Sequence, residues 1–253
     1  MDNRSIWNEK WDRLAEYSRN SAGNRWAFYL MQRLLKKAEI DSGDIVDIGC
    51  GTGNKSSVLA QYFRKAHVYG VDFSKEGIDH AKIFYKNIEN LEFDCTDIDT
   101  FCKKMENKKI MLVSAFEVLE HIEKWEEFLD KICDLTSKYV MISVPIGKMR
   151  KYEEGLGHYR NYKKGQIEKY MAQKGFKKID VLYAGFPFWS PLTRDMMNKI
   201  GYSDGNKLDD TLTAFNPLVH KAIYVLYRYL SFKRIGDQFI GLFEKESKIP
   251  FKQ

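Results

Sequence analysis

One stretch constrains this chain more than any other: residues 44–63, DIVDIGCGTGNKSSVLAQYF, where a short β-branched run passes through three glycines into a stretch of helical character. Gly49, Gly51 and Gly53 let the backbone turn sharply and approach a ligand closely, and the N–H groups that open the following helix point at its polar part. Cys50 lies inside the turn, and Asp47 precedes it as an acceptor. The next run, VYGVDFS, ends in Asp72, about 20 residues past the glycines, where the carboxylate of a nucleotide-binding βαβ unit holds ribose hydroxyls. The glycines read G-x-G-x-G, with Asn54 following, and not the G-x-G-x-x-G of the dinucleotide fingerprint. The pairs Tyr159/Lys163 and Tyr170/Lys174 have a dehydrogenase-like spacing but lack that family's glycine pattern, so hydride transfer is set aside.

Around this stretch, β-branched runs alternate with helical spacing, the pattern of βα units on a parallel sheet. The pattern predicts strands over 45–48, 68–71, 91–93, 110–113, 139–144, 178–183 and 237–243. Helices are expected over 54–64, 75–87, 125–135, 164–174 and 218–230. Residues 7–37 read as one or two amphipathic helices, with Trp26, Tyr29, Leu30, Arg33 and Leu34 on one buried stripe. After 184 the alternation stops in a stretch rich in proline, glycine and aspartate. The expected organisation is therefore an N-terminal helical segment (1–40), an α/β core (41–184 plus 235–247) and an inserted cap (185–234).

D-I-G-C-G-T-G at 47–53, the acid at Asp72, C-T-D-I at 95–98 and E-V-L-E-H-I at 117–122 together resemble the class I S-adenosylmethionine-dependent methyltransferases. The resemblance covers about residues 40–184, and G-L-F-E-K at 241–245 resembles that family's seventh strand. It implies a Rossmann-like, mostly parallel sheet of order 3-2-1-4-5-7-6, with helices on both faces and the cofactor across the carboxyl ends of the first, second and fourth strands. Asp47, Gly49 and Gly51 would then contact the methionine moiety, with Cys50 and Gly53 in the same turn. Asp72 would hold the ribose and Phe73 one adenine face. Asp97 and Ile98 would flank the adenine, and Glu117 would reach the methionine end and open the acceptor pocket. The product would be S-adenosylhomocysteine. The K-P-G-G turn frequent in that family before the fifth strand is replaced by LTSKYVMISVP.

Methyl transfer needs a general base only if the nucleophile carries a proton. Of five histidines, His121, after the fourth strand, and His158, in the loop EEGLGHYRNYKKG, are the candidates, each with a structural alternative. Tyr159 and Arg160 add donors to that loop. Arg160 would bind an anionic acceptor in bidentate fashion or pair with Glu153 or Glu154. The cap is rich in aromatics, Trp189, Tyr202, Phe215 and Tyr227 among them, with Arg194, Lys199 and Lys207 interleaved, which suits an apolar acceptor with an anionic end.

The formal charge is +6, but it divides into +1 over residues 1–44, −4 over 45–147 and +9 over 148–253. The basic half leaves an RNA or tRNA methyltransferase as the alternative to a small-molecule enzyme, although no N/D-P-P-Y/F segment follows the fourth strand. No uncharged apolar run reaches about 18 residues, and the N-terminus lacks a signal-peptide pattern. The expectation is a cytoplasmic monomer or homodimer without membrane insertion. Cys50, Cys95, Cys102 and Cys133 form no C-x-x-C pair, so reduced thiols and no metal are expected.

Overall fold

Alternate residues of the strands supply two separate cores. Val46 and Ile48 face one side with Val113, Val140 and Ile142, while Ile45 faces the other with Val68, Leu112 and Met141. This is the two-residue period of a strand whose faces are both covered by helices. In the computed structural model, which describes residues 3–200 and 217–246, these strands form one seven-stranded sheet. The strands are β1 (Gly43–Ile48), β2 (Ala66–Asp72), β3 (Leu91–Cys95), β4 (Ile110–Phe116), β5 (Tyr139–Pro145), β6 (Phe176–Ala184) and β7 (Gln238–Lys245), in the order β3-β2-β1-β4-β5-β7-β6. β7 runs antiparallel between β5 and β6, and the other neighbours are parallel. The expected strand order stands.

Helices α1 (Asn3–Asn20) and α2 (Ala22–Leu35) precede the sheet, separated at Ser21, whose Oγ accepts the Asn24 N–H at 3.2 Å and starts the second helix. α2 buries Trp26, Leu30, Met31, Leu34 and Leu35. Arg33, expected on that stripe, is exposed and reaches the Tyr29 hydroxyl. The turn-length spacing was right, but a charge with no buried partner stays in water. Between the strands lie α3 (Asn54–Tyr62), α4 (Lys75–Phe84), α5 (Ile98–Lys104), α6 (Trp125–Leu135), α7 (Lys151–Gly155) and α8 (Gln166–Gln173). α5 and α7 are too short for a periodicity to show in the sequence. α5 begins where Asp97 accepts the N–H of Thr100 at 2.9 Å.

Between β6 and β7 lie α9 (Arg194–Ile200) and α10 (Pro217–Val225), the latter continued by a wider turn, Leu226–Leu230. Tyr202, Lys207 and Phe215 lie outside the described residues. The Trp189 ring lies 5.6 Å from both Trp26 and Tyr227, so this segment packs on α2 through aromatic contacts. Arg194, read from the sequence as a cation available to an acceptor, is 2% exposed and ion-paired with Glu153, also 2% exposed, which ties α9 to α7.

Candidate active site

The carboxyl end of β1 enters the glycine turn with φ +69° at Gly49 and +52° at Gly51. A Cβ at Gly49 would stand 2.4 Å from Val118, and one at Gly51 2.5 Å from Trp11, so both position and conformation demand glycine. Asp72, at the end of β2, fastens this turn: its Oδ2 accepts the Gly51 N–H and its Oδ1 the Ser74 N–H, both at 2.8 Å. Burial raises its pKa, opposed by those N–H groups. Asp47 is turned inward, accepting the hydroxyls of Ser56 (2.6 Å) and Ser114 (2.8 Å), and so joins α3 to β4 beneath the turn. The Cys50 thiol is buried, and burial with the neighbouring Asp72 and Asp47 pushes its pKa up, which disfavours the thiolate.

Phe73 follows Asp72 and is partly buried, Asp97 is exposed at the start of α5, and Ile98 is buried beside it. Thr100 donates to Asp97 from both its N–H and its hydroxyl, which lowers the carboxyl pKa. The turn is roofed by α1. Trp11 lies against Gly51 and Gly77, and Ser18 Oγ accepts from Asn54 Nδ2 at 2.9 Å, a placement the sequence did not reveal.

Past β4, Glu117 has φ +56°, a left-handed conformation rare for a residue with a Cβ. The strain is held by a cluster at three strand ends. The Glu117 N–H donates to the Ser143 carbonyl at 2.9 Å, and its Oε1 accepts the Ser143 hydroxyl and, at 2.8 Å, the Gln238 amide. Nothing in the sequence marks Ser143 and Gln238, since only sheet order sets β5 beside β4 and β7 beside β5.

This cluster forms part of the wall of a cavity of about 520 Å³, lined mostly by apolar groups of α2, α9, α10 and the Phe188–Thr193 turn. Glu117 and Trp189 are the residues expected at the site that line this cavity, and Lys55 and His220 join them. The Trp189 indole Nε1 is buried without a hydrogen-bond partner. His121 and His158 stand together but off the lining, rings 4.5 Å apart and nearly perpendicular. Burial lowers their pKa values to about 3 and about 4, so both imidazoles are neutral near pH 7. Arg160 forms neither an acidic pair nor a cavity contact. Its guanidinium donates to the carbonyls of Ile122 (3.0 Å) and Glu123 (2.8 Å), holding the turn after β4. Tyr159 is 51% exposed and donates its N–H to the Glu120 carbonyl.

A parallel sheet with one antiparallel strand next to its edge, and a glycine turn fastened to an acid on the neighbouring strand, define the class I methyltransferase fold. The chain belongs to the methyltransferase-domain family, whose model matches residues 23–181. Malonyl-acyl-carrier-protein O-methyltransferase of Bacillus cereus is 26% identical over 127 residues, 49% of this chain and 47% of that protein. Pavine N-methyltransferase of Thalictrum flavum is 30% identical over 121 residues, 46% of this chain and 33% of that protein. The chain thus spans half or less of the length of these curated relatives. Coclaurine N-methyltransferase, solved with N-methylheliamine and S-adenosylhomocysteine, shares the fold at a TM-score of 0.56 and 16% identity, covering 87% of this chain and 72% of that one. Among the described residues no helix is long and apolar enough to cross a membrane.

Proposed function

We propose that this protein transfers a methyl group from S-adenosylmethionine to an oxygen or nitrogen of a small or medium organic acceptor with an apolar body. The observation that carries this reading is a mostly apolar cavity of about 520 Å³ whose wall includes Glu117, at the strand-end edge of the glycine turn. Curated relatives named as O- and N-methyltransferases add support, as does a fold neighbour solved with S-adenosylhomocysteine.

When bound, S-adenosylmethionine supplies an electrophilic methyl on a sulfonium. The chain's task is to align an acceptor with it, because displacement at carbon gains most from proximity and orientation. Gly49, Cys50, Gly51 and Gly53 form the backbone cradle. Asp47 acts from beneath by fixing α3 to β4, and Asp72 holds the turn and faces the ribose. Phe73, Asp97 and Ile98 take the adenine end. Glu117 meets the methionine end and the acceptor, and Trp189 offers its indole N–H to a polar atom of the acceptor. His121 and His158, neutral at pH 7, keep the base role for an acceptor that must lose a proton, and Tyr159 and Arg160 order their loop. Residues 41–184 plus 235–247 act as the core and 185–234 as a cap on the acceptor. The protein acts as a monomer or a homodimer.

The anionic end expected from the charge of the second half draws less support, because Arg194 is spent on Glu153 and, among the described residues, Lys55 is the lysine or arginine that lines the cavity. An RNA acceptor draws less support than a small apolar one, because the lining of the cavity is mostly apolar.

The test is transfer of labelled methyl from S-adenosylmethionine to a panel of apolar carboxylic acids, phenols and amines, with tRNA as a comparison. Label is expected on apolar small acceptors. Ala27→Phe, which fills the cavity wall, is expected to lower kcat/KM for the acceptor by about 10- to 100-fold with cofactor affinity unchanged. Label on tRNA alone, or an Ala27→Phe enzyme as active as wild type on every small acceptor, overturns the reading.

A further inference from the structure

Behind the turn that carries Glu117, next to His121 and His158, lies a carboxylate to which the proposed methyl transfer gives no role. Glu120 is 0% exposed, and neither of its carboxylate oxygens has a hydrogen-bond partner. A buried carboxylate with nothing to accept from is among the most costly arrangements a fold can retain. His121 and His158 each present a ring nitrogen to it, and one ligand atom from each of the three side chains lies within 4.8 Å of the others. The His121 Nδ1 is 3.3 Å from the Gly157 carbonyl, and donation there is the outer bond that characterises a metal-ligating imidazole. The Nδ1 of His158 is buried and has no hydrogen-bond partner.

We propose that Glu120, His121 and His158 bind a divalent first-row transition-metal ion of the zinc type. Two imidazoles and one carboxylate suit zinc, iron, cobalt or nickel and do not suit calcium or magnesium, which prefer oxygen alone. Ligand atoms around a tetrahedral ion with bonds of about 2.1 Å stand about 3.4 Å apart. The three groups therefore have to close by up to about 1.4 Å, a side-chain adjustment that needs no movement of the sheet. Glu117 and Glu153 add negative charge around Glu120, while Lys10 and Arg194 act on the imidazoles in the opposite sense. Trp7 sets its ring against the His121 edge at 5.1 Å and shields that imidazole. An ion here joins the turn after β4 to the loop after β5, and so braces the strained Glu117 that lines the cavity.

The test uses the full chain, stripped with a chelator and titrated with zinc(II) and, separately, cobalt(II). One equivalent is expected to bind, with a visible d–d absorption for cobalt and a rise in melting temperature for zinc. Glu120→Gln, which keeps the shape but not the charge, and His158→Gln are each expected to weaken binding at least as much as loss of an outer-shell partner does, roughly 10- to 100-fold. Metal-free circular dichroism of each variant checks that it is folded, and if one is not, the other decides. Stripped wild type that takes up neither ion stoichiometrically, or folded variants with wild-type affinity, overturn the proposal.

Discussion

Asp72→Ala is expected to raise the dissociation constant for S-adenosylmethionine by about 100-fold and to abolish measurable methyl transfer. Both oxygens of this carboxylate hold backbone N–H groups at 2.8 Å, one in the glycine turn and one at Ser74. An alanine leaves those two buried donors unpaired, at about 1–3 kcal/mol each, and the turn is free to leave the conformation in which Gly51 presents its backbone. The same change removes the acceptor proposed for the ribose. Asp72→Asn keeps one acceptor oxygen in place and should fall between alanine and wild type. Calorimetric titration with S-adenosylmethionine distinguishes the three. An alanine variant that binds within about threefold of wild type would remove Asp72 from the cofactor site.

The second large effect concerns stability. Arg194→Ala should destabilise the protein by about 3–5 kcal/mol, because Glu153 is then left as an uncompensated buried charge. Tyr152 donates its hydroxyl to the same carboxylate at 3.1 Å, which does not replace a guanidinium. For a chain of this length about 2–4 °C per kcal/mol applies, so the melting temperature should fall by on the order of 10 °C. A double-mutant cycle with Glu153→Gln isolates the pair: the double variant should be less destabilised than the two single changes added together. Simple additivity would mean that Arg194 and Glu153 stabilise the α7–α9 contact independently.

What could be read from the sequence is what is encoded locally. The glycine turn, Asp72 and the βα alternation are contiguous patterns, and they carried the sheet order with them through the family resemblance. Glu117 was legible as a residue but not as a strained one, because its φ is fixed by Ser143 and Gln238, 26 and 121 positions away. Arg194 looked like a cation facing an acceptor. Only the fold brings Glu153, 41 positions earlier, against it in a dry site. Trp11 gave no signal either, since an amphipathic helix does not declare that one of its rings will rest on a glycine 40 residues ahead. His121 and His158 were singled out separately from their loops. Their meeting, with Glu120 enclosed beside them, follows from the close approach of the segments after β4 and β5.

A crystal structure with S-adenosylhomocysteine tests the proposed cofactor site most directly. The adenosine is expected against Asp72, Phe73 and Asp97, the homocysteine along Gly49–Gly51, and the sulfur directed past Glu117 into the apolar cavity. A ligand bound elsewhere, or one whose sulfur is walled off from that cavity, would contradict it.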